Sequence, residues 1–334
     1  MEAIRMRGGL CLLALILVFG LLAEGCTPKK AKEKTPIKIG INAWPGIAHA
    51  YLAQEKGFFR KNGVEVELVF RKEYSKTIED YNNGRVHGNL EVFVDTILQD
   101  AGGIDSKVVY VSDYSETGDV IMGKPEFNSL LDLKGRKVSI EGINSFSHLF
   151  VLTALEKAGL KEAQIQFKIV PAQEVLKALE EGRIDAGHTW EPTKSAAIKK
   201  GFRIIAQAKD IPGMITDVLV FKAKFVKERP GEIKAIVKSL LEARDFLYAH
   251  KEEAIKIMAK NMDMSEAEMQ EGISGVYHPD LKENLRAMQK SDETSSLFGS
   301  GKKISDFYLN RGQLSCLPDL DKIIEPRFVE ELAK

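Results

Sequence analysis

The stretch IKIGINAWPGIAHAYLAQEKGFFRKNGVEVELVF, residues 37–70, decides the fold class. Ile37, Ile39 and Ile41 open it as a short apolar strand. Residues 48–56 read as a helix closed by Gly57, because glycine enters the left-handed conformation at a helix end without a side-chain clash. Val64, Val66, Leu68 and Phe70 then alternate with Glu65 and Glu67, the pattern of a strand with one buried face. Strand, helix, strand in so short a run is the unit of an α/β protein with parallel strands.

The same rhythm continues outward. Further strands are expected at residues 90–93, 108–111, 120–122, 138–140, 166–170, 186–189, 204–206 and 215–221, with helices between most of them. After Phe221 the character changes, and residues 231–250, 251–261 and 265–276 are helical in composition and spacing, without strong strand candidates. Gly84-Arg85-Val86-His87-Gly88 and Gly182-Arg183-Ile184-Asp185-Ala186 each follow a short helix and precede an apolar strand. They reflect either two lobes of similar plan or a turn common to α/β folds. A chain of this length exceeds one usual core. Two lobes are therefore expected, residues 37–119 with 219–334 and residues 120–218, with crossings near 118–122 and 216–219.

At the N-terminus, Arg5 and Arg7 precede an apolar run over residues 10–23 and then Glu24-Gly25-Cys26. This is the layout of a secretory signal peptide over residues 1–25, too short to span a bilayer comfortably. Ending in a small residue before cysteine, it resembles a bacterial lipobox, with Cys26 as the lipid acceptor; the alternative is an uncleaved membrane anchor. Residues 26–36 have the Lys- and Pro-rich composition of an extended tether. The expected location is the periplasmic or cell-surface side of a membrane. Lys and Arg (48) balance Asp and Glu (48), so there is no basic field for nucleic acid. With Cys11 in the signal and Cys26 lipidated, Cys316 has no partner, and no disulfide framework is expected. Phosphate-loop, zinc-spacing and Gly-x-Ser-x-Gly patterns are missing from the sequence, so no catalytic residue, metal or cofactor is expected.

The residues also carry a family likeness. Ile41-Asn42-Ala43-Trp44-Pro45-Gly46, Tyr51-Leu52-Ala53, Glu55-Lys56-Gly57-Phe58-Phe59, Leu133-Lys134-Gly135-Arg136-Lys137-Val138 and Trp190-Glu191-Pro192 resemble the nitrate-, sulfonate- and taurine-type periplasmic binding proteins. The resemblance implies a two-lobed type II binding-protein fold that closes on its ligand, with a helical C-terminal part. It implies a monomer that hands a small molecule to an ABC permease, and some relatives bind pyrimidine precursors of thiamine. His87 departs from the acidic residue expected there, and several candidate cleft positions carry carboxylates, which argues against a simple inorganic anion. A sensory lipoprotein and a pyrimidine-precursor enzyme are the alternatives; the cysteine cluster of the eukaryotic pyrimidine-making relatives is absent from the sequence.

In open α/β sheets ligands sit beyond the C-terminal strand ends, and that rule selects the candidate site. Asn42, Trp44 and Gly46 follow the first strand; Gly46 would let backbone approach a ligand, while Trp44 offers it a face or fills the core. Tyr74 follows the second strand, beside Ser75 as a candidate helix cap. Asp95 either caps the next helix or faces the cleft, with capping the safer assignment. Asn144, Ser145 and Ser147 stand at a helix start that could hold an anionic headgroup or simply cap the helix. Trp190 and Glu191 are singled out by the resemblance; Trp190 could stack on a ring or cover a cation. Asp217 lies in an otherwise apolar strand, where an unpaired carboxylate is costly, so it wants a protein donor or a cationic ligand group. Tyr114 and Asp119 flank the first crossing. Aromatic and acidic candidates outnumber basic ones, and the expected ligand is a small zwitterion, such as a sulfonate or taurine, or an amine-bearing heteroaromatic.

Overall fold

The computed structural model describes residues 35–334; the signal segment, Cys11 and Cys26 lie outside the described residues. Residues 36–334 form one compact unit containing two β-sheets. In chain order the strands are β1 (Ile37–Asn42), β2 (Val66–Arg71), β3 (Gly88–Val92), β4 (Ser106–Ser115), β5 (Val120–Gly123), β6 (Lys137–Ile140), β7 (Gln166–Ile169), β8 (Ala186–Thr189), β9 (Arg203–Gln207), β10 (Thr216–Lys222) and β11 (Val276–Tyr277). The first sheet has the order β11-β4-β10-β3-β1-β2 and the second β7-β6-β8-β5-β9.

β1 pairs in parallel with β2 and β3, and β6 pairs in parallel with β7 and β8, as strand–helix–strand units require. Each sheet also takes strands of opposite sense, β10 and the short β11 in the first and β5 in the second. β5, the first strand after the chain leaves the first sheet, lies antiparallel between β8 and β9; β10, the first strand after it returns, lies antiparallel between β3 and β4. This reversal brings the N-terminal ends of β5 and β10 to the edge where the parallel strands have their C-terminal ends. Residues 116–119 and 208–215 carry the chain across. The first crossing is pinned, because the Gly275 carbonyl accepts the N–H groups of Glu116, Thr117 and Gly118, each at 3.0 Å.

Ile37, Ile39 and Ile41 are buried as the opening motif requires, and Gly57 is left-handed at φ 72°. The helix begins later than its composition suggests: Pro45–Ala48 forms a 3-10 turn, from which the helix His49–Glu55 continues. The C-terminal part is helical over Pro230–Ala249, Lys251–Met262 and Glu266–Ser274, but β11 corrects the expectation of a wholly helical end. Two residues pairing with the end of β4 leave no alternation to read in sequence. Among the described residues no helix is long and apolar enough to cross a membrane. Cys316 is exposed and free.

Candidate functional site

Where the two strand-end edges meet, Asn42, Trp44, Tyr74, Val92, Ile215 and Asp217 from the first sheet's side, Phe146 and Trp190 from the second and Asp119 from the crossing enclose a narrow cavity of about 10 Å³, room for about one water. Its walls are aromatic. The Trp44 and Trp190 rings meet edge to face at 6.3 Å, Phe146 lies 6.1 Å from Trp190, and Tyr74 lies 5.1 Å from Phe146. Rings at these separations and angles attract through their quadrupoles, and their faces suit a flat or cationic guest.

The polar groups around the cavity divide into satisfied and orphaned. Asn42 Oδ1 accepts the Trp44 backbone N–H at 2.9 Å, but among the described residues neither Asn42 Nδ2 nor Trp190 Nε1 has a hydrogen-bond partner. Both side chains are almost wholly buried. Asp217 is 3% exposed, lines the cavity, and takes no hydrogen bond from any described residue. Asp113, its cross-strand neighbour on β4, accepts Trp44 Nε1–H at 2.9 Å through Oδ1, while Oδ2 has no hydrogen bond of ordinary length. Burial pushes the Asp217 carboxyl well above the usual carboxylate range, and Asp113, Asp119, Asp95 and Glu91 add to the rise. Burial likewise raises Asp113 against the opposing hydrogen bond from Trp44. Asp95 is pushed up to about 7 by burial, although the Tyr74 hydroxyl donates to it at 2.5 Å. Buried donors and carboxylates left unpaired are costly groups that a polar partner would satisfy.

On the opposite side the groups are paired. His188, on β8, bonds Asp119 through Nε2 and Ser147 Oγ through Nδ1, both at 2.8 Å, and Ser147 Oγ accepts the Glu141 N–H at 3.0 Å. Ser147 O–H donating to Nδ1 and Nε2–H donating to Asp119 satisfies the whole chain. Buried Glu191 faces Lys194 Nζ at 3.0 Å and accepts Ser195 N–H and O–H. Lys194 also bonds the Thr117 carbonyl at 3.3 Å and stands 3.7 Å from Glu271 on the helix Glu266–Ser274. This ion pair thus ties the second sheet's side to the crossing and to the C-terminal helices.

Of the residues expected from sequence, the structure brings Asn42, Trp44, Tyr74, Trp190 and Asp217 to one cavity, with Asp119. Trp44 does both things its position allows, lining the cavity and packing in the core. Gly46 does not line it: a Cβ there would strike the Asp113 carboxylate and the Trp44 ring nitrogen, so the close approach it permits is within the protein. Its carbonyl takes His278 Nε2 at 2.7 Å and lies 3.1 Å from His49 Nδ1, which anchors the loop. Asp95 does not cap its own helix; behind the cavity it takes the Tyr74 hydroxyl, and the Phe146 N–H of the other lobe points at it. Ser145 caps Phe146–Lys157 through the His148 N–H at 3.4 Å, and Asn144 is left-handed at φ 63°. With Ser147 given to His188, none of these three lines the cavity. Glu191 precedes a cis peptide to Pro192 and is spent on Lys194. Tyr114 O–H donates to the Ser295 carbonyl at 3.1 Å and lines a separate groove. Ser75 lies inside the helix Tyr74–Asn82, not at its cap.

Sequence reasoning did not single out Phe146, Asp113 and His188. Asp113 had the signal that revealed Asp217, a lone carboxylate in an apolar strand. Phe146 and His188 carried none, since an apolar helix start and a polar strand residue have many ordinary uses.

Comparison with known proteins agrees with this architecture. The chain is 26% identical over 240 residues to a putative aliphatic sulfonates-binding protein of Escherichia coli, covering 70% of this chain and 74% of that one. It is 25% identical to a putative thiamine biosynthesis protein of Haemophilus influenzae over 232 residues, 68% of this chain and 73% of the relative. The ligand-binding component of an ABC-type import system from Staphylococcus aureus superposes with a TM-score of 0.75 at 18% identity, over 89% of this chain and 99% of that one, and shares the fold. The family model described as NMT1/THI5 like matches residues 44–254, well over half the chain, from the tryptophan of the first loop into the C-terminal helices, and the protein belongs to that family.

Proposed function

We propose that the protein is an extracytoplasmic solute-binding lipoprotein, anchored through Cys26, that captures a small amine-bearing heteroaromatic molecule between its lobes and delivers it to an ABC importer. The reading of the role rests on the family and on relatives that carry solute-binding names. The ligand class rests on one observation: the cavity wall holds four aromatic rings and two carboxylates and no Lys, Arg or His. A sulfonate or nitrate would enter without a counter-charge and beside buried acids, at a cost that grows as water is excluded. Once the lobes part enough to admit it, a flat ring bearing an amine would pack against the Trp44 and Trp190 rings, give its N–H groups to Asp217 and Asp119, and accept from Asn42 Nδ2.

Residues 37–119 with 219–334 act in this reading as one lobe and residues 120–218 as the other, closing about the two crossings. The ligand stabilises the closed state through contacts it makes only there. No covalent step is needed. The sulfonate relative favours a second reading, a zwitterion such as taurine whose ammonium would face Asp217. A thermal-shift screen of the purified protein with aminopyrimidines, aminopyridines, taurine, ethanesulfonate and nitrate separates them. Ligand at about a hundred times its dissociation constant adds roughly 2.7 kcal/mol and raises the transition by several degrees. A response to the heteroaromatic amines alone is expected; a response to ethanesulfonate or nitrate alone would overturn the ligand class.

A further inference from the structure

Asp113 and Asp217 are direct cross-strand partners in the middle of a sheet, and both are buried. Like charges directly opposite on neighbouring strands repel, and inside a protein the repulsion is far less screened than at the surface. The surroundings offer little relief. β3 and the helix that follows contribute Glu91 and Asp95, and the crossing contributes Asp119, whose carboxylate is already engaged by His188. Glu141, from the second sheet's side, bears on Asp95 rather than on the pair itself. The nearest ammonium on β10 itself, Lys222, lies at the far end of the strand, over the Tyr81 ring at 4.0 Å. Trp44, Tyr74 and Asn42 bring only neutral donors, and of these Trp44 alone reaches the pair; the neighbouring Ser112 hydroxyl also bears on Asp113. Trp190 and Asn42, whose Nε1 and Nδ2 have no acceptor among the described residues, line the same cavity as Asp217, while Asp113 is not among the lining residues.

We propose that the Asp113–Asp217 pair holds one shared proton while the cleft is empty, and that a cationic ligand enters by displacing it, so that this pair selects the charge of the cargo. On binding, an N–H of the ligand donates to Asp217 where the acid O–H had been, and the displaced proton leaves to solvent. A neutral or anionic guest cannot make this exchange, because it would leave the pair either protonated or doubly charged. The pair is thereby a specificity-determining element. Two buried charges brought together without a proton would cost more than the fold could offset, which is also why both acids are tolerated in an apolar strand.

The charge selection rests on the binding-protein reading, whereas the shared proton can be tested without any ligand. Infrared spectra of the ligand-free protein near pH 7 should contain the carbonyl stretch of a buried carboxylic acid that disappears in both Asp217→Asn and Asp113→Asn, since either change lets the remaining acid ionise. An acid band unaltered in both variants, or none in the wild type, overturns the proton. Calorimetric titration with 4-aminopyridine, a cation at neutral pH, in buffers of differing ionisation enthalpy should show a proton released on binding, with affinity falling about tenfold per pH unit where the pair is protonated. Binding of ethanesulfonate but not 4-aminopyridine, with the infrared band present, would overturn the charge selection and leave the binding-protein reading standing.

Discussion

The two sides of the cleft are built from the same kind of strand ends, yet they treat buried acids in opposite ways. On the second lobe's side Glu191 has Lys194 and Ser195, and Asp119 has His188, itself supported by Ser147. On the first lobe's side Asp113 and Asp217 oppose each other, with one Trp44 N–H given to Asp113. The first arrangement costs little because Glu191 has an ammonium and Asp119 a hydrogen-bond donor; the second is relieved by a proton or a cation. One side is a finished structural network and the other is half of an interaction. Removing charge should therefore harm the former and relieve the latter.

Lys194→Met gives the largest expected effect. It strands Glu191 in the interior and should cost about 3 kcal/mol or more of stability in denaturant unfolding, whereas Lys194→Met combined with Glu191→Gln should recover much of the loss. Failure of the double variant to recover would mean that packing, not charge, makes the difference. Asp217→Asn should do the reverse, leaving the folded protein at least as stable at neutral pH while weakening a heteroaromatic amine roughly a hundredfold, about 2.7 kcal/mol by calorimetry. Unchanged affinity would remove Asp217 from the site. Trp190→Ala should weaken the same ligand about thirtyfold, roughly 2 kcal/mol, through loss of a stacked face and a buried donor, with Trp190→Phe keeping part of the affinity. Retained affinity in the alanine variant would move the ligand away from the aromatic wall.

The smallest effect is a pH slope. Asp95, pushed up to about 7, and the raised Asp113 and Asp217 bind protons more tightly in the folded chain than in the unfolded one, where carboxylates titrate near about 4. The contribution of Asp95 and Asp113 is fully present below about pH 4 and is lost as pH rises through about 7, and that of Asp217 is lost over a window that opens at the same lower bound and extends upward. Wild type should lose stability relative to Asp217→Asn across that window. Parallel stability curves for the two proteins would contradict the raised pKa.

Much of this was legible in residues 37–70 and their echoes, because strand alternation and Gly57 are local signals that tertiary contacts did not override. The rule that ligands gather at strand ends also located Asn42, Trp44, Tyr74 and Trp190. Asp217 was found by its cost, as a charge in an apolar strand. What stayed hidden depended on partners distant in sequence. Nothing around Glu191 tells that Lys194 and the helix Glu266–Ser274 consume it, and nothing around Asp113 tells that it would lie opposite Asp217. Gly46 invited a ligand-facing role because close approach is visible in sequence while the approaching group is not; that group is Asp113.

A cleft built for a flat cationic guest should distinguish ligands by charge. A side-by-side thermal-shift measurement of the purified protein at pH 7, with aminopyrimidines and aminopyridines in one arm and ethanesulfonate and taurine in the other, tests it most directly. The account predicts a rise of several degrees in the first arm that is lost in Asp217→Asn, and no response to ethanesulfonate. A rise with ethanesulfonate that survives in Asp217→Asn would contradict it.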